Sequence, residues 1–350
     1  MTRLSDGFLQ SNDRKLIKLG PISLLVRPRF LLIYGVVVAA LLGFALWLLP
    51  QGLYETPLSS LWHSADKTGV QQMIWKDFRL PRILTAILAG AMLGIAGAAL
   101  QTLARNGLAD PGLVGVKEGA AVAVIGMAVF LPEVAPGWRS LAGLAGGLSV
   151  ALVVALLARD ISKARFVLIG IGVSWFLHGI IACFMTTADI RNVQTALIWL
   201  AGSLHASSWE SFQNMLYWAV VGLGLLIAGT RQIDTLLLGR HCAMSLGTNV
   251  KLTSALCFLA TCMLTSAAVA AVGSLGFVGL IAPHLTRLTL GYRQAPLLAG
   301  SGLYGAALLL LADSIGRLAF APLQIPAGIV MAIVGVPFLL ALLWQRRDQL

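Results

Sequence analysis

Charge is scarce in this chain. Only 11% of its 350 residues are charged, whereas 58% are hydrophobic and the mean hydropathy is +0.86. A soluble domain usually carries about 25% charged residues, because it must cover its surface with polar groups. The composition therefore excludes an ordinary soluble domain and indicates a protein that lies in a lipid bilayer.

Residues that would support chemistry within the chain are also few. The four cysteines, at positions 183, 242, 257 and 262, fit no zinc or redox spacing, and the five histidines are scattered. No glycine-rich loop ends in the Lys-Ser or Lys-Thr that would cradle a nucleotide phosphate. We therefore expect no catalytic residue, no metal site, no cofactor bound by this chain and no ATP hydrolysis through a phosphate loop.

Long apolar stretches recur along the sequence, and a helix needs about 20 such residues to cross a bilayer. The pattern predicts an all-α, polytopic membrane protein with about ten spans, of which the third and eighth are short. It also predicts a lead-in at 1–29, a membrane domain at 30–345, a tail at 346–350 and a short outer helix at 193–200. The predicted spans are 30–49, 81–103, 119–131, 141–157, 166–185, 215–227, 252–272, 277 onward, 297–312 and 327–344.

Basic residues indicate the orientation of these spans. With both termini on one side, eighteen of the 25 lysines and arginines fall on that side. Cytoplasmic loops are enriched in lysine and arginine, so both termini are predicted to be cytoplasmic. The same bias explains the net charge of +11 without nucleic acid as a partner. Arg79, Arg82 and Arg317 lie on the outer side against this rule, which suggests a separate role for them.

Acidic residues are nearly absent from the spans, with Asp313 as the main exception. Asp313 precedes Arg317 by four residues, a helical spacing at which the two can pair. An ion-coupled carrier usually has acids or histidines within the membrane, and a membrane enzyme needs a polar cluster at one face. The sequence favours neither alternative. Gly90, Gly94 and Gly97 have the spacing that lets helix backbones approach closely.

Six motifs occur in a definite order along the spans. The motifs are Arg79-Leu80-Pro81-Arg82, Gln101 and Arg105-Asn106 with Leu108-Ala109-Asp110-Pro111-Gly112, Trp199-Leu200-Ala201-Gly202-Ser203, 238–247, 276–287, and Ile325-Pro326-Ala327-Gly328 with Gly335-Val336-Pro337-Phe338. Together they resemble the FecCD-type permease subunits of bacterial ABC importers for ferric siderophores, haem and cobalamin, over roughly residues 30–345.

The resemblance implies the permease fold of type II ABC importers in the bacterial inner membrane. It implies a translocation pathway between two permease subunits, which are either identical or related. It also implies two cytoplasmic ATPase subunits that use ATP and Mg, and a substrate-binding protein outside. The function it suggests is import of an iron(III)–siderophore complex, with cobalamin and haem as the alternatives.

The resemblance also assigns roles to particular residues. Docking of the binding protein is assigned to Arg79, Arg82 and Arg317, and the alternative for these arginines is membrane anchoring or internal pairing. For the segment from 238 to 247, the alternative to a coupling role is an ordinary connector. The coupling helix that contacts the ATPase includes Leu238, Gly239, Ala243, Leu246 and Gly247. A cytoplasmic gate is assigned to Asn106, Leu108, Ser162 and Lys163.

Overall fold

A computed structural model describes residues 15–19, 22–26, 28–52, 70–131, 133–134, 136–161, 164–237, 239–291 and 293–345. Three residues with predicted roles, Ser162, Lys163 and Leu238, lie outside the described residues, as does the predicted tail at 346–350. The chain divides into two compact units, Met1–Phe44 and Ala45–Leu350.

The described residues contain two short strands and thirteen α-helices. The strands are β1 (Lys15–Leu19) and β2 (Ile22–Val26). The helices are α1 (Pro28–Leu48), α2 (Val70–Met73), α3 (Leu80–Ala104), α4 (Val116–Phe130), α5 (Pro136–Ala158), α6 (Ala164–Thr187), α7 (Ile190–Leu200), α8 (Trp209–Leu237), α9 (Arg240–Ser245), α10 (Val250–Val272), α11 (Val278–Leu290), α12 (Gln294–Leu318) and α13 (Ala327–Gln345).

Each of the ten predicted spans corresponds to a helix, which confirms the all-α, multi-span architecture. Eight helices within the described ranges are long and apolar enough to cross a membrane. The other two are α4, with 15 residues, and α11, with 13, and both were predicted to be short. Helix α8 is longer than predicted, because polar residues at its two ends continue the helix beyond the apolar window.

The N-terminal unit contains a feature that the hydropathy pattern did not predict. Strands β1 and β2 pair antiparallel, with Lys15 opposite Val26 and Leu19 opposite Ile22. Both strands are runs of five residues rich in leucine, isoleucine and valine, on either side of Gly20-Pro21. The predicted lead-in thus includes a β-hairpin before α1 begins at Pro28.

In the second unit, α3 and α12 form the most extensive contact between helices. A β-carbon on Gly90 would overlap the backbone of Gly305, and one on Gly94 would overlap the carbonyl oxygen of Ser301. One turn further along α3, Gly97 has the same relation to Gly279 of α11. The predicted close packing of these glycines is confirmed, and its partners are α12 and α11.

A π-helical turn, Ile74–Arg79, joins α2 to α3. Pro81 follows at the start of α3 and has no N–H to donate to the carbonyl four residues back, so the α-helical ladder is open at this point. The indole nitrogen of Trp209 donates to the carbonyl oxygen of Lys76 at 2.8 Å. This contact ties the start of α8 to the turn.

The short helix α7 is fastened at its C-terminal end by backbone groups. Ser274 N–H donates to the carbonyl oxygen of Trp199 at 3.2 Å, and Gly328 N–H donates to that of Gly202 at 3.0 Å. Gly202 has φ +72° and Gly273 has φ +78°, a region that favours glycine. The end of α7 is therefore held against the end of α10 and the start of α13.

The α3–α12 contact generates a stability prediction. Replacing Gly94 with alanine places a methyl group against the Ser301 carbonyl, so we expect a loss of about 1–3 kcal/mol in the free energy of unfolding. The measurement is thermal unfolding of the purified protein in detergent. Gly179→Ala on α6 is the control, since nothing lies within 4 Å of its position. Equal melting temperatures for both variants would contradict the prediction.

Candidate coupling and docking sites

The predicted coupling segment is a short helix with a glycine on each side. Gly239 precedes α9 with φ +103°, and Gly247 follows it with φ +79°. The N–H groups of Gly247 and Thr248 donate to the carbonyls of Met244 and Ala243, at 2.9 and 3.0 Å. This double hydrogen bond is a Schellman motif, and it ends the helix sharply.

The two faces of α9 differ in exposure. Ala243 is fully buried, in one apolar cluster with Leu103 of α3 and Leu236 of α8. Met244 is 48% exposed and Leu246 is 62% exposed. The segment thus exposes the apolar side chains of Met244 and Leu246, while Ala243 packs against α3 and α8 on its buried face.

A second pair of contacts closes the base of this segment. The hydroxyl oxygens of Thr235 and Thr248, on either side of α9, lie 2.9 Å apart. A guanidinium nitrogen of Arg105, at the end of α3, donates to the carbonyl oxygen of Leu236 at 3.0 Å. The position of α9 therefore depends on both α8 and α3.

The predicted gate residues Asn106 and Leu108 form the turn that follows α3. The side-chain oxygen of Asn106 accepts a hydrogen bond from Leu108 N–H at 2.9 Å, and the Asn106 carbonyl accepts one from Ala109 N–H at 3.1 Å. Asn106 is exposed and Leu108 is half-buried. Their role as a gate stays a prediction.

Beside this turn lies a polar bridge whose geometry the sequence did not reveal. Gln101 is 2% exposed, and its amide donates to the carbonyl of Gly279 at 3.3 Å and accepts from Arg287 at 2.5 Å. Pro283 lies four residues after Gly279 and cannot supply the usual helical donor, so Gln101 satisfies that carbonyl instead. A proline within a short span, together with a buried glutamine, is the signal that would have indicated this bridge.

Asp110 lies in the connection between α3 and α4, in space left by two glycines. One carboxyl oxygen is 2.7 Å from where a β-carbon of Gly279 would lie, and the other is 2.7 Å from that position on Gly112. Burial raises the pKa of Asp110, and the positive charge of Lys117 offsets part of that increase. The glycines thus make room for an acidic side chain close to the start of α11.

At the other end of the bundle, Arg82 and Asp313 form an ion pair between α3 and α12. The guanidinium donates to both carboxyl oxygens at 2.8–3.2 Å, and the two side chains are only 15% and 6% exposed. Arg82 also donates to Gln324 at 3.0 Å, and a ring nitrogen of His205 lies 3.2 Å from the same Gln324 oxygen. The predicted pairing of Asp313 with Arg317 is therefore wrong. Because α3 and α12 lie close together, Arg82 is the ion-pair partner of Asp313.

The other two arginines with a predicted docking role also bind parts of their own chain. Arg79 is 7% exposed and donates to the carbonyl of Leu49 at 2.6 Å, and Arg317 donates to that of Gln51 at 3.1 Å. Arg317 lies within electrostatic range of Arg79, Arg82 and Asp313. The predicted docking residues therefore form one cluster of three cations and one acid, while their docking role stays a prediction.

Among the described residues, no three His, Cys, Asp or Glu side chains lie together as they would around a metal ion. The bundle instead has an exposed apolar segment at one end and a cationic cluster at the other. The model of the FecCD transport family matches residues 31–345, and the chain belongs to this family. It is thus an ABC transporter permease.

Individual relatives agree with this assignment. The chain is 36% identical to the "Probable siderophore transport system permease protein YfhA" of Bacillus subtilis, over 80% of this chain and 84% of that one. It is also 36% identical to the "Vitamin B12 import system permease protein BtuC" of Vibrio cholerae, over 87% and 90%. A solved structure assigned to the metal-chelate type of ABC transporter, in an inward-facing conformation, matches with a TM-score of 0.79 at 28% identity, over 90% and 99%.

The Arg82–Asp313 pair generates a prediction about stability. Replacing either residue alone with leucine leaves a buried charge without its partner, so we expect a loss of about 3 kcal/mol. The double variant Arg82→Leu/Asp313→Leu should recover most of that loss. Denaturation in mixed detergent micelles measures all three, and Asp77→Ala, at an exposed acid near this end, is the control. A single variant as stable as the unmodified protein would contradict the prediction.

Proposed function

We propose that this chain is the permease subunit of an importer for an iron(III)–siderophore complex in the bacterial inner membrane. Both termini are in the cytoplasm, so α9 faces the cytoplasm and the arginine cluster faces outward. Membership of the FecCD family supports the import role. The named siderophore permease and the metal-chelate transporter support the cargo.

The observation that carries the proposal is the geometry of α9. Its exposed Met244 and Leu246 are held on a turn with fixed ends, while Ala243 anchors the opposite face in the apolar cluster. A short rigid projection of this kind fits a groove on a partner and moves with it. In the proposed complex, two ATPase subunits bind ATP and Mg, and their closure moves α9 together with the helices behind it.

The other partners follow from the same arrangement. A second permease subunit, either a copy of this chain or a related one, completes the pathway across the membrane. A substrate-binding protein delivers the cargo at the outer end. Since three arginines surround a single acid there, the cluster carries a net positive charge that attracts acidic side chains of that protein.

Cobalamin is the second candidate cargo, because a vitamin B12 permease is as similar in sequence as the siderophore permease. Haem is the third. A large chelate leaves few specific contacts to the permease, so the binding protein would select among these compounds. An ion-coupled carrier is the alternative from another class, and transport in vesicles separates it from an ATP-driven importer.

Uptake by the reconstituted complex tests the function. Vesicles that contain the permease, its ATPase and its binding protein should accumulate radioactive iron supplied as a siderophore complex when ATP is present. An ATPase with its catalytic glutamate replaced by glutamine should abolish uptake, and a protonophore should leave it unchanged. Selective uptake of cobalamin or haem would overturn the proposed cargo. Uptake that persists without the ATPase and is abolished by the protonophore would overturn the importer itself.

The docking proposal can be tested without breaking the buried ion pair. Arg317→Gln removes one positive charge but keeps a side-chain donor near Gln51, so we expect weaker association with the binding protein and a smaller dependence on salt. Binding to the permease in nanodiscs at several ionic strengths measures both. The control is Lys251→Gln, which removes one positive charge from an exposed side chain at the opposite end of the bundle. Unchanged affinity in Arg317→Gln would contradict docking at this cluster.

A further inference from the structure

The end of α8 makes a contact that the coupling role of α9 does not use. A carboxyl oxygen of Asp234 accepts a hydrogen bond from the backbone N–H of Gln294 at 3.0 Å. Gln294 is the first residue of α12, and the preceding residue, Arg293, provides no side-chain cap. Asp234 therefore satisfies one of the donors that a helix start leaves open, but does so from another helix.

The contact continues from α12 to α3. The side-chain oxygen of Gln294 lies 2.9 Å from the hydroxyl of Thr102, and Gln294 is fully buried. The same hydroxyl lies 3.0 Å from the carbonyl oxygen of Ala98, one turn earlier in α3. Polar contacts thus link the end of α8, the start of α12 and the last turns of α3, and no solvent reaches Gln294.

Arg105 provides the second link, at a cost in backbone energy. Its φ of +50° is left-handed, a conformation that residues other than glycine rarely adopt. Glycine would relieve this strain and would still allow the hydrogen bond from Asn106 N–H to the Gln101 carbonyl that closes the helix. It would, however, lack the guanidinium that reaches Leu236. The strained arginine therefore serves the contact with α8 rather than the turn.

We propose that Asp234 and Arg105 are positioning residues, which transmit the movement of α9 to the α3–α12 pair during transport. This inference rests on the proposed contact between α9 and the ATPase. Asp234 lies in the last turn of α8, directly before α9, and Arg105 donates a hydrogen bond to the carbonyl of Leu236 in the same turn. Both contacts connect this turn to the α3–α12 pair, which carries the Arg82–Asp313 cluster at its far end. Without these two contacts, α9 would still bind the ATPase, but its displacement would not reach α3 and α12.

Three variants isolate these contacts. Asp234→Ala removes the acceptor, Asp234→Asn keeps one oxygen there, and Arg105→Gly removes the guanidinium while relieving the backbone. Arg159→Gly is the matched control, because Arg159 also has a left-handed φ, of +62°, directly after α5. Within the described ranges, no hydrogen bond joins its side chain to another helix. Thr230→Ala, which removes only a bond within α8, is the second control.

The first measurement is the amount of cargo transported per ATP hydrolysed by the full reconstituted complex. We expect Asp234→Ala and Arg105→Gly to lower this ratio by about threefold or more, with ATP hydrolysis retained. Asp234→Asn and both controls should stay near the unmodified value. A destabilised protein would lose hydrolysis and transport together, whereas Arg105→Gly should unfold no earlier than the original. An unchanged ratio in both test variants would overturn the inference.

A second measurement separates this inference from the proposed function. Hydrogen–deuterium exchange of the permease in nanodiscs is followed before and after addition of the ATPase with nucleotide. We expect protection at α9 and altered exchange at the start of α12, with only the protection at α9 surviving in Asp234→Ala. If α9 gains no protection in the unmodified chain, the ATPase contact is wrong. If α9 is protected and α12 responds equally in Asp234→Ala, the transmission role is wrong.

Discussion

The approach of α3 to α12 and α11 is the constraint on which the rest of the bundle depends. Because Gly90, Gly94 and Gly97 have no side chains, the helix axes come close enough for backbone oxygens to take the space of β-carbons. That distance allows Arg82 to reach Asp313 at one end. At the other end it allows Thr102 to meet Gln294 and Gln101 to meet Gly279. A wider separation would leave the Asp313 carboxylate without Arg82 and the Gly279 carbonyl without Gln101, and an unpaired polar group in an apolar interior costs several kcal/mol.

Hydrogen bonding of the backbone explains most of the irregular features. Within the bilayer, a free backbone carbonyl or N–H cannot form a hydrogen bond with water. The groups left free at each break in a helix must therefore be satisfied by other groups of the protein. Because Pro283 has no N–H, the side-chain amide of Gln101 donates to the carbonyl of Gly279 instead. At the start of α12, the carboxylate of Asp234 accepts a hydrogen bond from the N–H of Gln294. The residues that repair such breaks connect separate helices, and they are therefore the ones that can transmit movement.

Hydropathy was enough to predict the ten spans, the short helix before α8 and their order, whereas the coupling helix at α9 was predicted from the family resemblance, and α2 with its π-helical turn was not predicted. They predicted that the glycines of α3 pack closely, but not against which helix. Helical spacing predicted Arg317 as the partner of Asp313, but the contact between α3 and α12 makes Arg82 its partner. The hairpin at β1 and β2 was missed because its strands have only five residues each. The roles of Arg105 and Asp234 depend on distances between distant segments, which no local pattern contains.

The fastening of α7 has a consequence for how this surface can diverge. Main-chain hydrogen bonds of Trp199, Gly202, Ser274 and Gly328 hold the end of this helix, and its buried Ala196 packs in an apolar cluster with Ile125 of α4 and Ile181 of α6. The exposed side chains of Leu197 and Ile198 take no part in these contacts and can be exchanged while the helix keeps its place. The glycines at 202, 273 and 328 tolerate no such change, since a methyl group at any of them would meet neighbouring atoms. This end of the bundle can thus keep one backbone shape and carry side chains of different chemical character.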